Sequence, residues 1–161
     1  MPAQIYHPFE QFNFSNRTCF LSGQELTSEE EKIQVFPVWL MSRYNLGEKP
    51  FKLLDESYAT YKDLKIPCAA KINEQYLEPL EAELSAAFDA GYDAVKKVDE
   101  LKLFQWAGKL LYGILFNEVQ SGFQQQHAQG QEFNILQSLI HKFGHLHLML
   151  HSINQPIVFE D

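Results

Sequence analysis

Three sets of residues in this chain are of types that do chemistry: two cysteines, a group of histidines near the C-terminus, and a row of glutamates in the middle. The histidines His141, His145, His147 and His151 fall on a stretch with helical periodicity. His141 and His145 are four apart and share a helical face, a spacing that can chelate a transition metal. The apolar stripe of that helix is centred near Leu139 and Phe143, and His141 and His145 fall roughly opposite it, so they read as surface residues. The competing reading is a helix-bundle, metal-dependent hydrolase built on His141 and His145. Glu74, Glu78 and Glu81 also share one helical face, with Glu118 on the next helix. Carboxylate-bridged metal sites in helix bundles add a Glu-x-x-His element, which this sequence lacks, so the row reads as a solvated face. No Gly-x-Ser-x-Gly, Walker loop or Gly-x-Gly-x-x-Gly is present. The two cysteines, Cys19 and Cys68, lie far apart in sequence.

Around those cysteines three runs stand out: Thr18-Cys19-Phe20-Leu21-Ser22-Gly23, Gln34-Val35-Phe36-Pro37-Val38-Trp39-Leu40 and Ile66-Pro67-Cys68-Ala69-Ala70-Lys71-Ile72-Asn73. Over residues 17–81 the chain resembles the HNH nucleases. The similar branch has a Cys-x-x-Cys hairpin, then Glu-His-Val-Phe-Pro-x-Trp-Leu, then Pro-Cys-Cys-x-x-Cys-Asn opening a helix. Cys19, Val35-Phe36-Pro37, Trp39-Leu40, Pro67-Cys68 and Asn73 match that pattern. The departures fall on the functional positions. Ser22 stands where the resemblance implies the second cysteine, Ala69 and Ile72 where it implies the second cysteine pair, and Gln34 where it implies the catalytic histidine. Of four implied zinc ligands only Cys19 survives, and Cys68 lies one residue before the implied position.

These replacements have definite chemistry. An amide accepts no proton near neutral pH, so Gln34 cannot act as a general base. Ala69 and Ile72 cannot ligate a metal and would fill its former volume with apolar side chains. The expectation is therefore a degenerate module with no cofactor and no metal at Cys19, Ser22, Ala69 and Ile72. It has no catalytic residue, although Gln34 and Asn73 occupy the catalytic positions. The contrary reading, a metal-dependent HNH-type nuclease with an unconventional site, requires zinc or another metal near Cys19, Gln34 and Asn73.

Composition narrows the function classes. Of 161 residues, 45% are hydrophobic and 14% aromatic, enough for a real core. Thirteen Lys plus Arg against 21 Asp plus Glu give a net charge of −8, which disfavours general binding to a polyanion without excluding a local basic patch. A protein partner or a homodimer fits this surface better than nucleic acid. No signal peptide is recognisable, since Gln4, His7, Glu10 and Gln11 interrupt any apolar run. No stretch is long and apolar enough to span a membrane. The expectation is a cytoplasmic protein with free thiols.

The elements that would position these residues are mostly helical. Residues 17–26 suit a hairpin around Ser22-Gly23. Thr27 and Glu30 suit a capped turn, and Pro37 suits the start of a helix through about Tyr44. Phe51–Leu54 and Leu64–Ile66 read as short strands. Helices are expected from about Ala69 to Phe88, from about Ala94 to Gln120, and from about Glu132 to Ser152, with a polar loop at 121–131 and a final strand at Pro156–Phe159. The middle helix is apolar almost all round between Leu103 and Phe116, which suits a core helix or a dimer face. The fold class is thus α+β, mostly α: one domain over 1–161, with a degenerate ββα (HNH/treble-clef-like) knuckle at 17–88 packed on about three long helices and a helical extension at 89–161.

Overall fold

The computed structural model describes Pro8, residues 14–53, residues 56–130, Leu146 and Leu150. Over these the chain is α+β with helix predominant and two small antiparallel sheets. The expected hairpin is present: Thr18 and Glu25 form an antiparallel bridge, and Cys19 N donates to Gln24 O at 2.9 Å. Gly23 sits at φ 74°, a left-handed conformation that glycine adopts at no steric cost.

Four short strands follow: β1 (Lys32–Gln34), β2 (Pro50–Lys52), β3 (Tyr58–Thr60) and β4 (Lys65–Pro67). β1 pairs with β4 in the register Lys32↔Pro67, Ile33↔Ile66 and Gln34↔Lys65. Period-two alternation turns Ile66 into the core and leaves Lys32, Gln34 and Lys65 on the other face. β2 pairs with β3 in a separate ribbon, backed by mutual contacts of Phe36, Phe51 and Tyr61.

Between β1 and β2 lies helix α1 (Val38–Tyr44). Pro37 caps its start in extended backbone, and Asn45, at φ 53°, ends it by donating its N–H to Met41 O. After β4, α2 (Ala70–Ile72) passes through a π-turn at Asn73–Leu77 into α3 (Glu78–Ala90). Pro79 has no N–H for the carbonyl four residues back, and the wider turn lies just ahead of it. Gly91, at φ 108°, ends α3.

The next segment differs from the sequence expectation in two ways. A single helix from about Ala94 is replaced by a short α4 (Tyr92–Lys96) and a long α5 (Glu100–Ala128). The break falls where Asp99 Oδ1 accepts from Leu101 N at 2.8 Å, an N-cap bond that starts a new helix. The other difference is that residues 121–128, expected as part of a polar loop, continue α5. Glutamine is a good helix former, and no proline interrupts the run. The expected third helix at 132–152 lies outside the described residues except for Leu146 and Leu150, both helical, with Leu150 fully buried. The expected strand at Pro156–Phe159 lies outside them entirely.

The core gathers Phe14, Phe20, Leu21, Val35, Ile66, Leu77, Tyr112, Phe116 and Leu150, with Cys19, Cys68 and Ala69 among them. Helix α5 crosses closely behind β1 and β4. A Cβ at Gly113 would meet Val35 Cγ1 at 3.0 Å, so glycine sets that approach. Asn117 Nδ2 donates to Lys65 O at 3.2 Å and fixes α5 along β4. On its outer side α5 exposes Leu101, Phe104 and Leu111. Among the described residues no helix is long and apolar enough to cross a membrane.

Candidate functional site

The hairpin and the turn after β4 meet in the core. Phe20 N donates to Pro67 O at 2.9 Å, which sets Cys19 beside Cys68. Cys19 is 0% and Cys68 2% exposed. The Cys68 thiol donates to Ala69 O at 3.6 Å and lies against the Cys19 sulfur, with the Ser22 hydroxyl and the N–H groups of Ala69 and Ser22 around it. The neighbouring Cys68 thiol favours charge on Cys19 and holds its pKa well below that of a free thiol, against the opposing effect of burial. The same contact, together with burial, pushes the Cys68 thiol up.

Cys19, Ser22 and Ala69 therefore do converge, and Ile72 packs at the edge of the same core. The sulfur that faces Cys19 belongs to Cys68. Among the described residues, two sulfurs and one hydroxyl fall short of four tetrahedral ligands, and Ala69 contributes only its backbone N–H. That set by itself does not fit a structural zinc.

Beside β1 and β4 lies an open cleft of about 650 Å³. Gln34 on β1 and Asn73 at the start of the π-turn both line it, so the two positions marked by the sequence share one depression. Gln34 is not free there. Its Nε2 donates to Lys62 O at 3.0 Å, tying β1 to the short helical turn Tyr61–Asp63. Asn73 Nδ2 donates to Glu78 Oε1 at 3.2 Å. The ionisable groups lining the cleft are Lys32, Lys65 and Lys109 against Glu29, Glu30, Glu78 and Glu81, so its formal charge is slightly negative.

Glu81 corrects the reading of the glutamate row as a solvated face. Glu74 and Glu78 are exposed, but the Glu81 side chain is only 13% exposed. Its Oε2 accepts from Trp39 Nε1 at 2.7 Å and Trp106 Nε1 at 2.9 Å. Its Oε1 accepts from Lys109 Nζ at 2.6 Å, and the Lys109 side chain is 6% exposed. Trp39 and Trp106 stack with ring centroids 5.7 Å apart, and Phe88 contacts both. Three helices, α1, α3 and α5, thus converge on one carboxylate whose oxygens are taken up by two indoles and an ammonium. Sequence reasoning missed this cluster. The available signal was Lys109 and Gln105 within the greasy stretch of α5, both buried.

A smaller tie joins the knuckle to α2. Glu31 accepts from Thr27 N at 2.9 Å and from the Thr27 hydroxyl through Oε1, and from Ala70 N at 3.2 Å through Oε2. Thr27 thus pairs with Glu31, one residue beyond the Glu30 expected for a capping box. His141, His145, His147 and His151 lie outside the described residues. No family model matches this chain, and no curated protein or solved structure shows significant similarity to it.

Proposed function

We propose that this chain is a non-catalytic, HNH-like protein that acts as an interaction or structural module in the cytoplasm. The observation that carries the reading is Gln34. It stands at the position of the implied catalytic base, and its amide is spent on the Lys62 carbonyl. A glutamine so placed can neither take a proton from water nor turn freely toward a substrate. The surroundings agree. A phosphodiester entering the cleft meets three lysines against four glutamates, and Lys109 is already neutralised by Glu81. The apolar residues Leu101, Phe104 and Leu111 on the outside of α5 suit a protein partner or a second copy better than nucleic acid.

Two measurements test this reading. Plasmid DNA incubated with the protein and magnesium, manganese or zinc should show no more strand breaks than with Gln34→Ala. Metal-dependent cleavage that disappears in Asn73→Ala would overturn the non-catalytic reading. The ancestry is tested separately by combining Ser22→Cys, Ala69→Cys and Ile72→Cys. That variant should bind zinc stoichiometrically where the parent does not, and no gain in zinc affinity counts against an HNH-like lineage.

A further inference from the structure

We infer that Cys19 and Cys68 form a redox couple, a buried dithiol that closes to a disulfide and staples the N-terminal hairpin to the end of β4. This goes beyond the proposed function and does not depend on it. The argument begins with contact. The sequence contains two cysteines, and folding brings them together from distant positions into one core. The hydrogen bond from Phe20 N to Pro67 O sets the neighbouring backbones side by side, and Cys19 and Cys68 lie against each other in the core they share. Side chains so placed need only a short closing movement to reach a bond of about 2 Å.

The surroundings assign the roles. Cys19 is ringed by the Ser22 hydroxyl and by the N–H groups of Ser22 and Ala69, donors that stabilise a thiolate. Cys68 instead is a donor, its thiol bonded to Ala69 O at 3.6 Å. Cys19 and Cys68 are buried, so peroxide reaches them when the hairpin, paired to itself by a single bridge, opens locally. The oxidant class is a small peroxide. The Cys19 thiolate attacks one oxygen of hydrogen peroxide, the O–O bond breaks, and hydroxide leaves with the electron pair. The Cys68 sulfur then attacks the Cys19 sulfenic sulfur, its proton leaves with the departing hydroxide as water, and the disulfide forms. Two thiols are oxidised by two electrons, and one peroxide is reduced to two waters. A dithiol reductant reverses the reaction by thiol–disulfide exchange.

The test uses the full chain and stoichiometric hydrogen peroxide, followed by alkylation under denaturing conditions and intact-mass measurement. The expected product is a monomer that has lost two hydrogens, takes up no alkylating agent, and regains two alkylated thiols after dithiothreitol. Because it closes a long loop of the unfolded chain, it should also melt at a higher temperature than the reduced protein. Cys68→Ser should stop at a sulfenic acid that dimedone traps on Cys19. The inference is overturned by two fully alkylated thiols after peroxide, by a disulfide-linked dimer, by sulfinic or sulfonic products in the parent chain, or by unchanged melting. If Cys68→Ser does not fold, the parent's mass and melting results decide alone.

Discussion

Two polar clusters among the described residues are built in opposite ways. The hairpin cluster of Cys19, Ser22, Cys68 and Glu31, in which only the cysteines are buried, is stitched largely by backbone groups from two turns and the start of α2. The Glu81 cluster is stitched by side chains from three separate helices, with Trp39, Trp106 and Lys109 meeting one carboxylate. Sulfur is weakly polar, so the two cysteines sit in the apolar core with little penalty. Glu81 and Lys109 are full charges, tolerable at this depth only because each satisfies the other. The hairpin cluster is thus held by weakly polar groups and backbone N–H donors, and the Glu81 cluster is where strong charged interactions have collected.

That contrast is most directly broken at Glu81. Glu81→Ala leaves the Lys109 ammonium buried without a partner and should destabilise the protein by about 3–5 kcal/mol in urea unfolding. Replacing Glu81 and Lys109 together with Leu and Met should cost less than the sum of the single changes. Additive losses would mean that the two groups do not meet as described.

The seam between the regions is Gly113, where α5 passes Val35 and Ile66. Gly113→Ala places a Cβ 3.0 Å from Val35 Cγ1, and the core must shift to admit it. The expected loss is about 1–3 kcal/mol, the overpacking cost outweighing the gain in helix propensity. Val35→Ala added to Gly113→Ala should recover part of it. A stabilised single variant would show that the seam is looser than the contact distance implies.

The smallest effect belongs to the knuckle side. The Thr27 hydroxyl, with the N–H groups of Ala70 and Thr27, holds the Glu31 carboxyl below its ordinary value of 4.5. A carboxylate whose folded pKa is depressed stabilises the fold above its unfolded pKa and loses that contribution as pH falls through the folded value. The melting temperature of the parent should therefore exceed that of Glu31→Gln by a small margin at pH 7. That margin should close in acid below about pH 4.5. A constant margin from neutral to acid would assign the tie to shape rather than charge.

How much was legible follows the same division. The hairpin at 17–26, the start of α1 at Pro37 and the stop of α3 at Gly91 were readable because each depends on the backbone preference of one or two residues. That Ser22 lies beside Cys19 was readable from their spacing in the hairpin; Ala69 joins them through the backbone bond between Phe20 and Pro67. The contact of Cys68 with Cys19 was not readable, because a one-residue difference in a turn decides which side chain points inward. The continuation of α5 through 121–128 is hidden in the sequence because polar composition resembles a loop, whereas glutamines propagate a helix readily. Glu81 was obscured because periodicity shows which residues share a face and not whether another helix covers it.

The sequence by itself determined the α+β class, the positions of most turns, and the chemistry that Gln34, Ala69 and Ile72 cannot perform, because these follow from residue type and local backbone preference. Only the tertiary structure decided that two distant thiols touch, that Gln34 is bound to Lys62, and that Glu81 is the buried anchor of three helices. Burial and pairing arise from how α1, α3 and α5 dock, and docking joins residues whose separation along the chain carries no local signal.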